Sequence, residues 1–131
     1  VPYDVSSPLS GLRILVLEDE ALIALDVEQL CRDHGAGEVA IAGNLREARE
    51  ISAPFDAAII DVMIGGEPTF DFARSLEAAG VPFVFASGYD KLDEIFVDFP
   101  DVTLVSKPYA GADLIEAVTE SIRKRARSAD S

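Results

Sequence analysis

The sequence predicts an α/β domain: a parallel sheet sandwiched between two layers of helices. Three observations predict it. Short runs that are mostly apolar on both faces recur at residues 12–17, 38–42, 57–61, 82–86 and 102–106, as buried parallel strands do. Helical patterns alternate with them, the arrangement that builds βαβ units. The chain has 131 residues, which suits one domain.

Each element has its own reason. Residues 1–10 (VPYDVSSPLS) combine Pro and Ser without periodicity and read as a linker or irregular arm. After the first strand, Ile23, Val27, Leu30 and His34 step by four, three and four along one helix face; Gly35 and Gly37 stop that helix. His34 ends it, as packing or as a C-terminal charge, with no functional role. Asn44 can cap a second helix bearing Leu45, Ala48 and Ile51, which ends before Pro54. A third runs over residues 69–79 and ends at Gly80. Residues 92–99, with Phe96, Val97 and Phe99 and then Pro100, read as a short, marginal fourth helix. The last spans 111–125 with Leu114, Ile115, Val118 and Ile122 inward. Asp113 near its start and Lys124 and Arg125 near its end suit the helix dipole. The folded unit is therefore expected at 11–126, with 127–131 a disordered tail.

Composition narrows the function. The chain is 49% hydrophobic and 27% charged, an ordinary balance for a domain with a core. Eleven Lys and Arg against 24 Asp and Glu give a net charge of −13. That argues against direct nucleic-acid binding and suits cations or basic partners, although solubility alone also accounts for it. The single Cys31 excludes an intrachain disulfide and is consistent with a reducing compartment. No apolar run reaches the ~18 residues a membrane span needs, and no signal-peptide pattern opens the chain. A cytoplasmic location is expected. The first residue is Val1, and with the Pro/Ser arm it suggests a module from the C-terminal end of a longer protein.

In open α/β sheets the site lies at the carboxyl ends of the strands, near the point where strand order reverses. The first strand stops at Glu18-Asp19-Glu20, the third at Asp61, the fourth at Ser87-Gly88 and the fifth at Lys107-Pro108. Each has a plainer explanation taken singly. Acids after a strand can cap the next helix, Asp61 and Ser87 can form turns, and Lys107 can be a solvated charge. Together they are a specific set. Crowded carboxylates repel unless a cation joins them, and a hard, oxygen-seeking ion such as Mg²⁺, or Mn²⁺ in its place, is the natural choice. A cation and a lysine together can receive phosphoryl oxygens. Asp61 can then act as nucleophile, with Ser87 and the Gly88 turn donating to the phosphoryl group.

With these residues in view, the sequence resembles the receiver domains of two-component response regulators over about residues 11–125. The resemblance implies a flavodoxin-like sheet of order 2-1-3-4-5 and five helices. It implies that Asp61 takes a phosphoryl group from a histidine kinase. It also implies that Glu18, Asp19, Asp61 and the backbone carbonyl of Met63 arrange Mg²⁺, and that the bond to Pro108 is commonly cis. The stretch Pro82-Phe83-Val84-Phe85-Ala86-Ser87-Gly88-Tyr89 is similar to the Pro-Phe-x-Phe-Ala-Thr-Gly-Tyr signature of a receiver subgroup common in alphaproteobacteria, with Ser87 in place of Thr. The aromatic that usually switches, three residues before the lysine, is replaced by Leu104. Tyr89 is the expected substitute, the competing reading being a surface tyrosine with no signalling task.

On this reading phosphorylation changes the surface of the fourth helix, fifth strand and fifth helix. That surface would serve an unidentified downstream protein or a weak dimer, with no membrane partner. The chain is expected to be a phosphoacceptor in a phosphorelay that assists its own phosphorylation and dephosphorylation, and not an enzyme. It would be a stand-alone regulator or the C-terminal receiver of a hybrid histidine kinase. Two alternatives remain. One is an Asp-nucleophile phosphatase or phosphotransferase, but the acid such enzymes carry two residues after the nucleophile is absent: Met63 follows Asp61 and Ala21 follows Asp19 at that spacing. The other is a pseudo-receiver that binds partners without being phosphorylated.

Overall fold

Ile14, Leu15, Val16 and Leu17 are consecutive, and none is more than 1% exposed. A strand can bury both faces in this way only at the centre of a covered sheet. The computed structural model, which describes residues 8–51, 54–87, 97, 99, 101–107 and 111–130, places it there. β1 (Arg13–Leu17) pairs in parallel with β2 (Glu38–Ala42) on one side and with β3 (Ala57–Asp61) on the other. The side chains alternate between two cores. Ile14 and Val16 join Val27, Cys31, Leu114 and Val118 on one face, while Leu15 and Leu17 join Phe72, Leu76, Phe85 and Phe99 on the other.

Helices and a hairpin connect the strands. α1 (Ala21–Asp33) joins β1 to β2, and α2 (Leu45–Glu50) joins β2 to β3. A short antiparallel hairpin, β4 (Met63–Ile64) and β5 (Glu67–Pro68), leads into α3 (Phe70–Ala79). Then come β6 (Phe83–Ser87), β7 (Thr103–Ser106) and the C-terminal helix (Gly111–Asp130). The sheet order is β2-β1-β3-β6-β7, parallel throughout. Because β4 and β5 stand outside this sheet, its strands taken along the chain have the expected order 2-1-3-4-5. The hairpin is an addition to the predicted pattern of strands and helices.

Local chemistry accounts for the boundaries. Asn44 Oδ1 accepts from the Glu47 N–H at 2.8 Å, and Glu47 Oε1 accepts from the Gly43 N–H at 3.2 Å, so the start of α2 is capped in both directions. Ile51 is already extended, which ends the helix one residue before the expected last apolar position. Gly80 closes α3 with φ of 77°, the left-handed region open to glycine at no steric cost. A Cβ there would also come within 2.7 Å of Arg125 Nη2, and Arg125 Nε donates to the Gly80 carbonyl at 3.0 Å. Phe99 is buried among Phe70, Phe83 and Phe85, mostly edge to face, as core packing rather than a stacking platform. The rest of the expected fourth helix, Val97 apart, lies outside the described residues, as do residues 1–7.

Two expectations need correcting. The arm is not wholly irregular: Leu9 is fully buried in the α1-side core, and its N–H donates to the His34 carbonyl at 3.0 Å. A lone apolar residue among Pro and Ser shows no period, so pattern reading passes over it. His34 is held at the end of α1 by its own contact, Nδ1 to the Leu30 carbonyl at 2.9 Å. At the other end the C-terminal helix runs through Asp130, past the expected stop at Arg125. No Gly or Pro interrupts the segment, and Arg, Lys and Ala favour helix.

Leu9→Ala should lower the unfolding free energy by about 2–5 kcal/mol, read from urea denaturation, because it empties a closed core position. A loss under ~0.5 kcal/mol, the usual surface value, would show that the segment does not pack there.

Candidate functional site

The sheet register delivers the site. Leu17 pairs with Ile60, Asp61 with Ala86, and Ser87 with Ser106, so β1, β3, β6 and β7 finish at one edge. The chain leaves β1 toward β2 on one side and returns to β3 on the other. The gap between the ends of β1 and β3 is therefore the switch point of the sheet. Glu18 prolongs β1, its N–H donating to the Ala42 carbonyl at 3.0 Å. Asp61 is the last residue of β3, and Lys107 follows β7 directly.

These residues meet. Lys107 Nζ donates to Glu18 Oε1 at 2.5 Å and to Asp61 Oδ2 at 2.8 Å, across sequence separations of 89 and 46 residues. Glu18 is only 4% exposed, while Lys107 and Asp61 are half-buried. Asp19 is exposed but close: carboxylate oxygens of Glu18, Asp19 and Asp61 lie within 4.8 Å of one another. The Gly65 N–H donates to Asp19 Oδ2 at 3.0 Å.

The charges are not balanced. Three carboxylates face one ammonium, a deficit of two positive charges. Burial, with a further push from Asp61, raises the Glu18 carboxyl to about 7 against the opposing pull of Lys107. Burial alone would lower the Lys107 ammonium, but its hydrogen bonds to Asp61 and Glu18 prevail and lift it above its ordinary value, so it stays charged. Hard oxygen donors with that deficit fit a small divalent cation, and no soft ligand is among them.

Of the residues expected at the site, Glu18, Asp19, Asp61 and Lys107 are brought together. Met63 opens β4 with its side chain partly exposed. Ser87 ends β6 at the right edge, but its side chain, like Gly88, Tyr89 and Pro108, falls outside the described residues. Leu104 is half-buried against the aromatic core.

Two contributors escaped sequence reasoning. Thr69 is fully buried. Its hydroxyl donates to the Asp61 carbonyl at 2.6 Å and lies 3.1 Å from the Val62 carbonyl, instead of capping α3. This ties the backbone of the central acid to the start of the next helix. Gly65 was legible in principle: two glycines between Ile64 and Glu67 are a two-residue hairpin signal.

Comparisons with known proteins follow the same line. No protein-family model matches the chain. Over 117 residues it is 29% identical to the transcriptional regulatory protein PdtaR of two Mycobacterium tuberculosis strains, covering 86% of this chain. The chain spans 57% of the length of these curated relatives. A response regulator receiver protein from Sinorhizobium medicae superposes with a TM-score of 0.77 at 29% identity, over 89% of this chain and 98% of that one. A CheY-like receiver domain protein from Methanospirillum hungatei superposes with a TM-score of 0.76, over 91% and 99% of the two chains; at 23% identity it bears on the fold alone.

Thr69→Val should cost about 1–3 kcal/mol in urea denaturation by stranding a buried carbonyl, and Thr69→Ser should restore most of it. A second prediction concerns pH. The folded value of Glu18, about 7, exceeds its ordinary 4.5. Its contribution to stability is therefore complete below about 4.5 and is lost as pH rises through about 7. In EDTA the wild type should lose stability across that window relative to Glu18→Gln. Parallel stability curves for the two proteins would contradict this account of Glu18.

Proposed function

We propose that this chain, similar to response-regulator receiver proteins, is itself a receiver domain and that Asp61 is the phosphoacceptor of a two-component signalling step. The observation that carries the reading is the pair of contacts from Lys107 Nζ to Glu18 and Asp61, with Asp19 closing the acidic cluster. An ammonium held beside a half-buried carboxylate is placed to accept the charge of a group transferred to that carboxylate.

The chemistry follows from the residues present. An Asp61 carboxylate oxygen attacks the phosphorus of a phosphohistidine. The P–N bond breaks, imidazole leaves, and Asp61 carries an acyl phosphate. The acyl phosphate carries about two negative charges where the free carboxylate carried one. Lys107 then exchanges its Asp61 oxygen for a phosphoryl oxygen, which carries the event to the end of β7 and the C-terminal helix. Glu18, Asp19, Asp61 and the Met63 carbonyl would hold Mg²⁺, or Mn²⁺ in its place, which supplies the two missing positive charges. Ser87, Gly88 and Tyr89 complete the proposal as phosphoryl-binding and switch residues. The chain acts as an acceptor rather than as an enzyme on a separate substrate.

A groove of about 700 Å³ between α1 and the C-terminal helix leads to Lys107. Ile23, Leu30 and Leu114 line it together with Glu20, Asp26 and Asp33. An apolar floor with acidic neighbours suits an amphipathic, basic-flanked helix bearing the donor histidine of a kinase. Among the described residues no helix is long and apolar enough to cross a membrane.

Incubation with Mg²⁺ and acetyl phosphate should add one phosphoryl mass to the wild type and none to Asp61→Asn. Lys107→Ala should keep Mg²⁺ binding while losing the phosphoryl-dependent change in backbone amide shifts. Full labelling of Asp61→Asn at another residue would overturn the assignment.

A further inference from the structure

One contact of the acidic cluster remains without a role. Asp19, just past β1, is the exposed member of the three acids, and among the described residues no neighbour in its own segment is seen to hold its side chain inward. A solvent-facing carboxylate beside two others is expected to swing toward water. Asp19 instead accepts the N–H of Gly65, 46 residues away.

The hairpin explains how that N–H is aimed. Met63 pairs with Pro68 and Ile64 with Glu67, leaving Gly65 and Gly66 as a two-residue turn. Their φ angles are 57° and 83°, and two successive positive values mark the I′ kind of turn. A Cβ at either position would meet nothing within 4 Å. Glycine is therefore required here by backbone angle, not by space. The root is fixed independently. Ile64 is buried in the core, Val62 N–H donates to the Ala86 carbonyl at 3.1 Å, and Thr69 N–H donates to the Val62 carbonyl at 3.0 Å. With the Thr69 hydroxyl on the Asp61 carbonyl, one short hairpin governs two of the three acids. Its root sets the backbone of Asp61, and its tip holds the carboxylate of Asp19.

We propose that Gly65 is a positioning residue of the cation site: its backbone N–H, aimed by the Gly65-Gly66 turn, holds the Asp19 carboxylate toward Glu18 and Asp61 before a cation arrives. A charge-assisted N–H···O contact offsets part of the repulsion among the acids, and rigid attachment at the root keeps Asp19 from relaxing outward. The inference rests on reading the three acids as a cation site and adds to it the device that keeps the site assembled when empty.

Two measurements test it. The first needs no metal. Gly65 is exposed, so without this bond its amide should exchange freely with solvent. In EDTA, exchange of the Gly65 amide followed by NMR should be about five- to tenfold faster in Asp19→Ala than in the wild type; equal rates overturn the contact. The second is Mg²⁺ titration followed by backbone amide shifts. Gly65→Val, which cannot adopt the turn without strain, should bind about tenfold or more weakly. Gly65→Asn keeps the N–H and tolerates positive φ, and should recover affinity to within about twofold of the wild type. Gly65→Ala, with a milder strain, replaces the valine variant if that fails to fold. If the wild type takes up no Mg²⁺, the cation reading fails and this inference with it. If the wild type binds and Gly65→Val binds equally well, the positioning role alone is overturned.

Discussion

The Lys107 ammonium, set between Glu18 and Asp61, is the contact on which the rest of the arrangement turns. It joins the ends of three strands that no local sequence relation connects. A buried carboxylate pair without it would carry uncompensated charge in a region of low polarity, which is far more costly than a surface pair. Even with it three carboxylates face one ammonium, and burial, with a further push from Asp61, holds Glu18 above its ordinary protonation range. Among the described residues the two cores are closed, yet the acidic edge keeps this imbalance of charge. That is the condition in which a cation and a phosphoryl group can be bound with gain.

The scaffold has to hold this edge still. β1 is covered on both faces, so its end cannot shift without disturbing two cores. On one side the aliphatic residues of α1 and the C-terminal helix press against it. On the other, Phe70, Phe83, Phe85 and Phe99 pack mostly edge to face. At the end of the sheet away from the acids, Arg125 and Lys124 on the C-terminal helix donate to the carbonyls of Gly80 and Asp101. They tie the helix that follows Lys107 to the entrances of β6 and β7.

Much of this was legible in the chain. The strands β2 and β3 fall where their apolar runs stand, Asn44 caps α2, and Gly80 ends α3, because each depends on residues within a few positions of one another. Leu9 was not legible, since its burial depends on the His34 carbonyl and the α1 core rather than on its neighbours in sequence. The C-terminal helix runs past Arg125 because a polar tail still forms helix when it holds good formers and no breaker. The contact of the Thr69 hydroxyl was not legible either. A Thr before a helix ordinarily caps it by accepting an N–H, and here the hydroxyl instead donates to the Asp61 carbonyl across the hairpin.

The amino-acid sequence by itself determined the α/β class, the strand runs and the identity of the acids and lysine at the strand ends. These follow from hydrophobic period and from residue chemistry, both of which are local. Tertiary structure alone decided that Lys107 reaches both Glu18 and Asp61, that burial raises Glu18 but leaves Lys107 charged, and that the tip of a hairpin holds Asp19. Distances, desolvation and hydrogen-bond partners between residues tens of positions apart exist only once the chain has closed on itself.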